Sequence, residues 1–227
     1  MRLRNVSQRE GDLMGEMTTK DLQRLFQDIA DVMTAERDNL CQLDGVIGDA
    51  DHGIAMELGF TAAAKATDAL DPADTNPTTL FNTAAKAFLN AVGASSGPLY
   101  ATAFMRAGTA VKGKATLGDE DLLDVFAALA RGIQDRGKAE IGEKTMVDAW
   151  APAAAACEEA RARGDGLRQC FSQALEAAEQ GRDATKDMVA SKGRSARLGE
   201  RSLGHIDPGA ASATMVISSI RNALTSE

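Results

Sequence analysis

Apolar residues recur with a helical period along most of the chain. Leu22, Leu25, Phe26, Ile29, Val32 and Met33 fall at i, i+3, i+4 and i+7 on one face. Thr18 or Thr19 stands where an N-cap belongs, and the pattern carries this first helix to about residue 40. A second helix is predicted over about 53–70, stopping near Asp71-Pro72. Asn76-Pro77 is a cap followed by proline at the first helical position. The helix it opens carries Leu80, Phe81, Ala84, Phe88 and Leu89 and ends near Gly93. Others are predicted from Pro98 to about 112 and over about 119–136, 144–162 and 166–193, the last with a break expected near Gly181. Asp207-Pro208 opens the final helix, to about 224. That makes about eight helices and no strand. Residues 1–17 are polar and contain glycine, and read as a loose tail, with Met14 or Met17 as an alternative start. A single domain is expected over 18–227.

Short links between helices favour antiparallel neighbours, so the sequence predicts an all-α, up-and-down antiparallel barrel or bundle. In such a fold the connections alternate between two ends. The even connections, Asp71–Asn76, Gly113–Gly118 and Arg163–Gly166, are plain. The odd ones read LDGVIGDADHG (43–53), VGASSGP (92–98), RGKAEIGEKT (136–145) and GRSARLGERSLGHIDPG (193–209). Every segment rich in Gly, Asp, Ser or Arg lies on an odd connection. All four are therefore expected to meet at one end and form a polar site there.

Composition narrows what that site handles. Of 227 residues, 44% are hydrophobic and 26% charged, which is enough to build one core without staples. The net charge of −8 and the lack of a basic face argue against nucleic acid. An acidic protein that binds a polyanion needs metal ions to do so. Cys41, Cys157 and Cys170 are odd in number and have no CxxC spacing, so free thiols and a cytoplasmic location are expected. Neither a signal peptide nor a membrane-spanning apolar run is visible.

Asp44, Asp49 and Asp51 place three carboxylates within eight residues, among Gly45, Gly48 and Gly53. Carboxylates this close repel unless a cation intervenes, and hard oxygen ligands suit Mg²⁺ or Ca²⁺. One Asp-Gly turn could be a solvated cap; three carboxylates between two strong helices point to metal. A calcium loop starting at Asp49 would need a glutamate where Phe60 stands. A phosphorylated-aspartate motif would follow a buried strand, whereas Gln42-Leu43-Asp44 ends a helix. Gly93 to Pro98, with Ser95 and Ser96, precedes a helix N-terminus and so can receive an anion. Gly142-Glu143-Lys144-Thr145 lacks the glycine spacing of a phosphate loop, and no GxGxxG exists. Arg194, Arg197 and Arg201 offer forked donors for phosphate. His52 and His205, the only two histidines, both lie on odd connections, with His52 the stronger candidate.

Taken in order, LDGVIGDADHG, VGASSGPL, RGKAEIGEKTMVDAW and KGRSARLGERSLGHIDPGA resemble the L subunit of bacterial dihydroxyacetone kinases over about residues 18–227. The same motifs resemble the C-terminal nucleotide domain of single-chain kinases of that family. The resemblance implies a closed barrel of eight antiparallel helices with a nucleotide site at one end. It implies two Mg²⁺ ions on Asp44, Asp49 and Asp51. It places contacts to ADP or ATP on His52, Gly53, Ser95, Ser96, Gly137, Met146, Arg194, Asp207, Pro208 and Gly209. Ala55 departs from the family, which commonly has asparagine there, so one phosphate contact is missing or supplied by a group such as Ser95. Ser95 itself stands where alanine is frequent.

The activity implied is phosphoryl transfer to dihydroxyacetone, erythrulose or another short ketose held on a separate K subunit. Two energy sources are compatible: a resident ADP rephosphorylated by an M phosphocarrier subunit of the phosphotransferase system, or freely exchanging ATP. A lone L-type chain favours the first. A nucleotide-sensing module that binds a transcription regulator is the alternative from another class, and a helical metal-binding scaffold without nucleotide is the plainest one.

Overall fold

The computed structural model describes residues 16–93 and 96–225, and within them the chain is helical. The helices are α1 (Thr19–Ala35), α2 (Arg37–Ile47), α3 (His52–Asp68), α4 (Pro77–Val92), α5 (Gly97–Ala110), α6 (Asp119–Gly137), α7 (Val147–Arg163), α8 (Leu167–Ala184) and α9 (Pro208–Thr225). Two 3₁₀ segments, Thr185–Asp187 and Ser195–Ser202, lie between α8 and α9. Local chemistry explains most boundaries. Thr18 and Asp21 form a reciprocal capping box at α1. The Asn76 side chain accepts from Thr79 N–H ahead of Pro77. Gly164 closes α7 in a left-handed conformation.

Two boundaries differ from the sequence reading. The first helix does not run on to residue 40; it bends at Glu36, and α2 leaves in a new direction to pack on α3. No proline or glycine marks that bend, so tertiary packing decides it. Nor does α8 break at Gly181. It passes Gly181, where α8 touches α7 (a Cβ there would lie 1.9 Å from the Asp148 carbonyl oxygen), and ends at Ala184, short of the expected residue 193. Packed chain also starts earlier than the expected tail boundary at residue 17. Met17 is buried and exchanges backbone hydrogen bonds with Leu117, and Glu16 accepts from Thr116. Residues 1–15 lie outside the described residues.

Consecutive helices pack side by side from α3 to α9, and α1 bridges α3 and α9, which closes the ring. Eight helices form the barrel, and α2 stands beside it against α3 and α9. The interior is apolar. Phe26, Phe60, Phe81, Phe88, Tyr100 and Phe104 form one edge-to-face and tilted network, and Phe126, Trp150 and Phe171 form another. All nine aromatic residues of the chain belong to these two groups. No helix is long and apolar enough to cross a membrane among the described residues.

Candidate functional site

Asp44 sits one turn before the end of α2 and is 7% exposed. The chain then reverses through Gly48 and Ala50, the latter in the left-handed region at φ 61°. Gly48 has no room for a side chain: its Cβ would fall 2.1 Å from Asp44 Oδ1. The reversal brings the start of α3 against Asp44, whose Oδ2 accepts the N–H groups of Asp51 at 2.9 Å and His52 at 3.2 Å. Asp44 thus satisfies donors that a helix start leaves open.

One oxygen each of Asp44, Asp49 and Asp51 lie within 4.8 Å of one another. In an octahedral shell with bonds of about 2.1 Å, ligand oxygens are roughly 3–4 Å apart, so the trio is close to the spacing Mg²⁺ requires. Burial, and then the Asp44 charge, push the Asp51 carboxyl above its ordinary value. A cation between them would relieve that repulsion. Arg194 already brings a cationic group there: its Nη1 pairs with Asp49 and lies 3.2 Å from Asp51 Oδ2. The donor set and the glycine beneath it fit a divalent ion, and the guanidinium shows that the trio attracts positive charge, which a bound ion would take over from Arg194.

The aspartates stand at one edge of a cavity of about 320 Å³, within the size range of small-ligand pockets. All four odd connections line it. They contribute Asp44, Asp49, Asp51 and His52; Ser96; Gly137, Met146 and their neighbours; and Arg194, Asp207, Pro208 and Gly209. Gly53 does not line it but packs under the loop, against the Arg37 carbonyl and Cys41 Sγ. Ser95 lies outside the described residues. Of the three arginines only Arg194 reaches the cavity. The His205 side chain is exposed and turned away from it. Ala55 is half-buried and packs against the core.

Residues 46–222 match the DAK2 domain. The chain belongs to the DAK2-domain family. It is 38% identical over 196 residues to the ADP-binding subunit DhaL of the PEP-dependent dihydroxyacetone kinase 2 of Listeria innocua, covering 86% of this chain and 90% of that protein. It is 36% identical over 182 residues to the corresponding DhaL subunit of Escherichia coli, covering 80% and 86%. Among solved structures it resembles the dihydroxyacetone kinase of C. freundii in complex with AMP-PNP and Mg²⁺, with a TM-score of 0.67 and 22% identity. That likeness is one of fold; it covers 98% of this chain but only 37% of the larger one.

Within this DAK2 domain, hydrogen bonds join the walls. His52 Nε2 lies 2.8 Å from Ser212 Oγ, and the Ser212 hydroxyl donates to the Gly209 carbonyl at 3.1 Å. The contact joins α3 to α9, with the donor set by the imidazole tautomer. Burial lowers the His52 pKa to about 4, so the ring is neutral at physiological pH. Asp207 caps α9 by accepting from Ala210 N–H at 2.8 Å, and its own N–H donates to Thr185 Oγ1. Burial pushes the Asp207 carboxyl up to about 7, against the opposing pull of Ala210 N–H and Lys144.

A pH dependence follows. From about pH 4 to pH 7 the folded protein keeps a proton on Asp207 that the unfolded chain has lost, so this group's contribution to stability falls as pH rises through that window. Thermal melts at pH 5 and pH 8 should show a decline that is smaller in Asp207→Asn than in the wild type.

Sequence reasoning missed Lys144, which lines the cavity at 1% exposure. Scanning Gly142–Thr145 for a phosphate-loop spacing hid its other signal, a charged residue inside an odd connection.

Proposed function

We propose that this chain is the nucleotide-holding subunit of a multi-subunit kinase for dihydroxyacetone or another small ketose. What carries the reading is the carboxylate trio of Asp44, Asp49 and Asp51, with Arg194 beside it, at the edge of a cavity built from all four odd connections. Asp44, Asp49 and Asp51 would hold Mg²⁺, which supplies charge neutralisation for phosphate oxygens during transfer. Asp44 is the pre-set ligand, because the start of α3 fixes one of its oxygens. Arg194, 54% exposed at its side chain, would turn from the aspartates to a bound phosphate and add positive potential there. His52, Ser96 and Gly137 line the cavity and would contact the phosphates and ribose, and Ser95 is a contact that the family resemblance implies. Met146, Asp207, Pro208 and Gly209 form the wall for the base, with the Met146 side chain as a soft apolar face.

The resemblance to the L subunit places the ketose on a partner K subunit, so the chain alone is expected to be inactive. ADP as a resident cofactor, recharged by an M phosphocarrier, is supported by two relatives named ADP-binding subunits of PEP-dependent kinases. Mass spectrometry of ligand released after gel filtration is expected to find ADP. Calorimetry on stripped protein should then show Mg²⁺-dependent ADP binding. No heat and no competition would remove the kinase reading. Turnover with K subunit and ATP alone would replace resident ADP by an exchanging nucleotide. Unchanged turnover after loss of the trio, with altered binding of a transcription regulator, would favour sensing.

A further inference from the structure

Ser212 does not line the cavity, yet it touches a side chain that does. It lies in the second turn of α9 with 0% of its surface exposed. Its Oγ is 2.8 Å from His52 Nε2 and 3.1 Å from the Gly209 carbonyl oxygen. Thr214 and Ser219, also buried on α9, give their hydroxyls to backbone carbonyls. Of these three, Ser212 is the one that reaches across to α3, 160 residues away in sequence.

His52 needs such a partner. It is the first residue of α3, and its N–H donates to Asp44 Oδ2 at 3.2 Å. That bond anchors the backbone but leaves the ring unset, because the second side-chain torsion of histidine is broad and roughly two-fold. A buried ring nitrogen without a partner is also costly. The Ser212 hydroxyl supplies a partner and a direction, and it is firmly based. Asp207 caps α9 by accepting from Ala210 N–H at 2.8 Å. A Cβ on Gly209 would lie 2.9 Å from Asp207 Oδ2 and 3.4 Å from Met146 N, so the first turn of α9 is packed tightly against the cavity wall. With Nε2 held on α9, Nδ1 is the ring nitrogen left to meet a ligand in the cavity that His52 lines.

We infer that Ser212 is a positioning residue: from behind the cavity, its hydroxyl holds the His52 imidazole at Nε2 and so sets the ring for the phosphate side of the site. The inference rests on reading the cavity as a nucleotide site. It assigns Ser212 no contact with the nucleotide. The start of α9 then serves both sides of the site. Pro208 and Gly209 form one wall, and Ser212, one turn on, sets a side chain of the other.

Two measurements on the full chain test it. The first needs neither metal nor nucleotide. His52 and His205 are the only histidines, so long-range ¹H–¹⁵N spectra at about pH 8 report just two neutral rings. Exposed His205 is the reference for a ring in solvent. In the wild type the His52 nitrogens should differ from those of His205, as expected of a ring whose Nε2 partner selects one tautomer. In Ser212→Ala they should move towards the averaged values of His205. Unchanged His52 shifts overturn the inference. The second is calorimetry with Mg·ADP. Ser212→Ala should weaken binding roughly three- to tenfold, the range of one hydrogen bond. In a His52→Ala background the same change should cost less than about twofold. Equal losses in both backgrounds, or no loss in either, would mean that Ser212 does not act through His52, and overturn the inference. Should Ser212→Ala not fold, the wild-type spectrum decides. His52 shifts averaged like those of His205 would show a ring that Ser212 does not hold. If the wild type binds no Mg·ADP, the nucleotide reading falls, while the ring spectra still decide whether Ser212 holds His52.

Discussion

Asp44→Ala is expected to weaken Mg·ADP binding by more than about 100-fold, read by calorimetry on ligand-free protein. Asp44 is the buried member of the trio, and removing one partner of a buried charged cluster costs about 3–5 kcal/mol, well over two decades in affinity. The same substitution strips an acceptor from the N–H groups of Asp51 and His52, so the start of α3 loses its cap. That part costs about 1 kcal/mol, or roughly 2–4 °C in Tm for a chain of this size. Two companions separate the effects. Asp44→Asn keeps an acceptor for α3 but not the charge, so Tm should recover while binding stays lost. Asp49→Ala removes a ligand whose side chain is 44% exposed and makes no helix cap, so binding should fall with Tm unchanged. Full Mg²⁺-dependent binding in both alanine variants would sink the metal assignment.

Gly53→Ala is expected to be the most damaging single-methyl change at the site, although Gly53 touches no part of the cavity. A Cβ there would sit 2.0 Å from the Arg37 carbonyl oxygen and 2.9 Å from Cys41 Sγ. Backbone on α2 cannot retreat as a side-chain tip can, so α2 and α3 must separate. Overpacking of this kind costs about 3 kcal/mol, which corresponds to a fall in Tm of roughly 6–12 °C. Because α2 carries Asp44 and α3 carries the N–H groups that fix it, the trio should open as well. Differential scanning calorimetry and Mg²⁺-dependent ADP binding are expected to fail together. A stable Gly53→Ala that lost only binding would instead indicate a direct contact at Gly53.

Much of the site was legible because it is made of connections. Once the apolar stripes of Leu22–Met33 and Leu80–Leu89 established helices, alternation of links between two ends followed from antiparallel geometry alone. That is why Asp44, Ser96, Met146 and Asp207, far apart in sequence, could be placed at one end before any coordinates. The bend at Glu36 was invisible, since neither proline nor glycine stands there and Leu40 follows Met33 at a helical spacing of seven residues. Gly181 misled for the opposite reason. Glycine favours a break when only local preference acts, but here its missing side chain lets α8 lie against the Asp148 carbonyl. His205 and Arg197 lie on an odd connection like Arg194, yet they face solvent; membership of a loop does not fix the direction of a side chain.

By itself, then, the sequence determined the helical class and the order of the eight barrel helices, the end at which polar residues gather, and the chemistry of the carboxylate trio. These depend on periodicity, on parity of connections and on charge repulsion, all of which are written along the chain. Only the tertiary structure decided that α2 stands outside the ring, that Gly53 is a packing contact, and that Lys144 is buried between two walls. Those outcomes depend on which backbone atoms approach within a few ångströms, and such distances are set by the packing of helices remote in sequence.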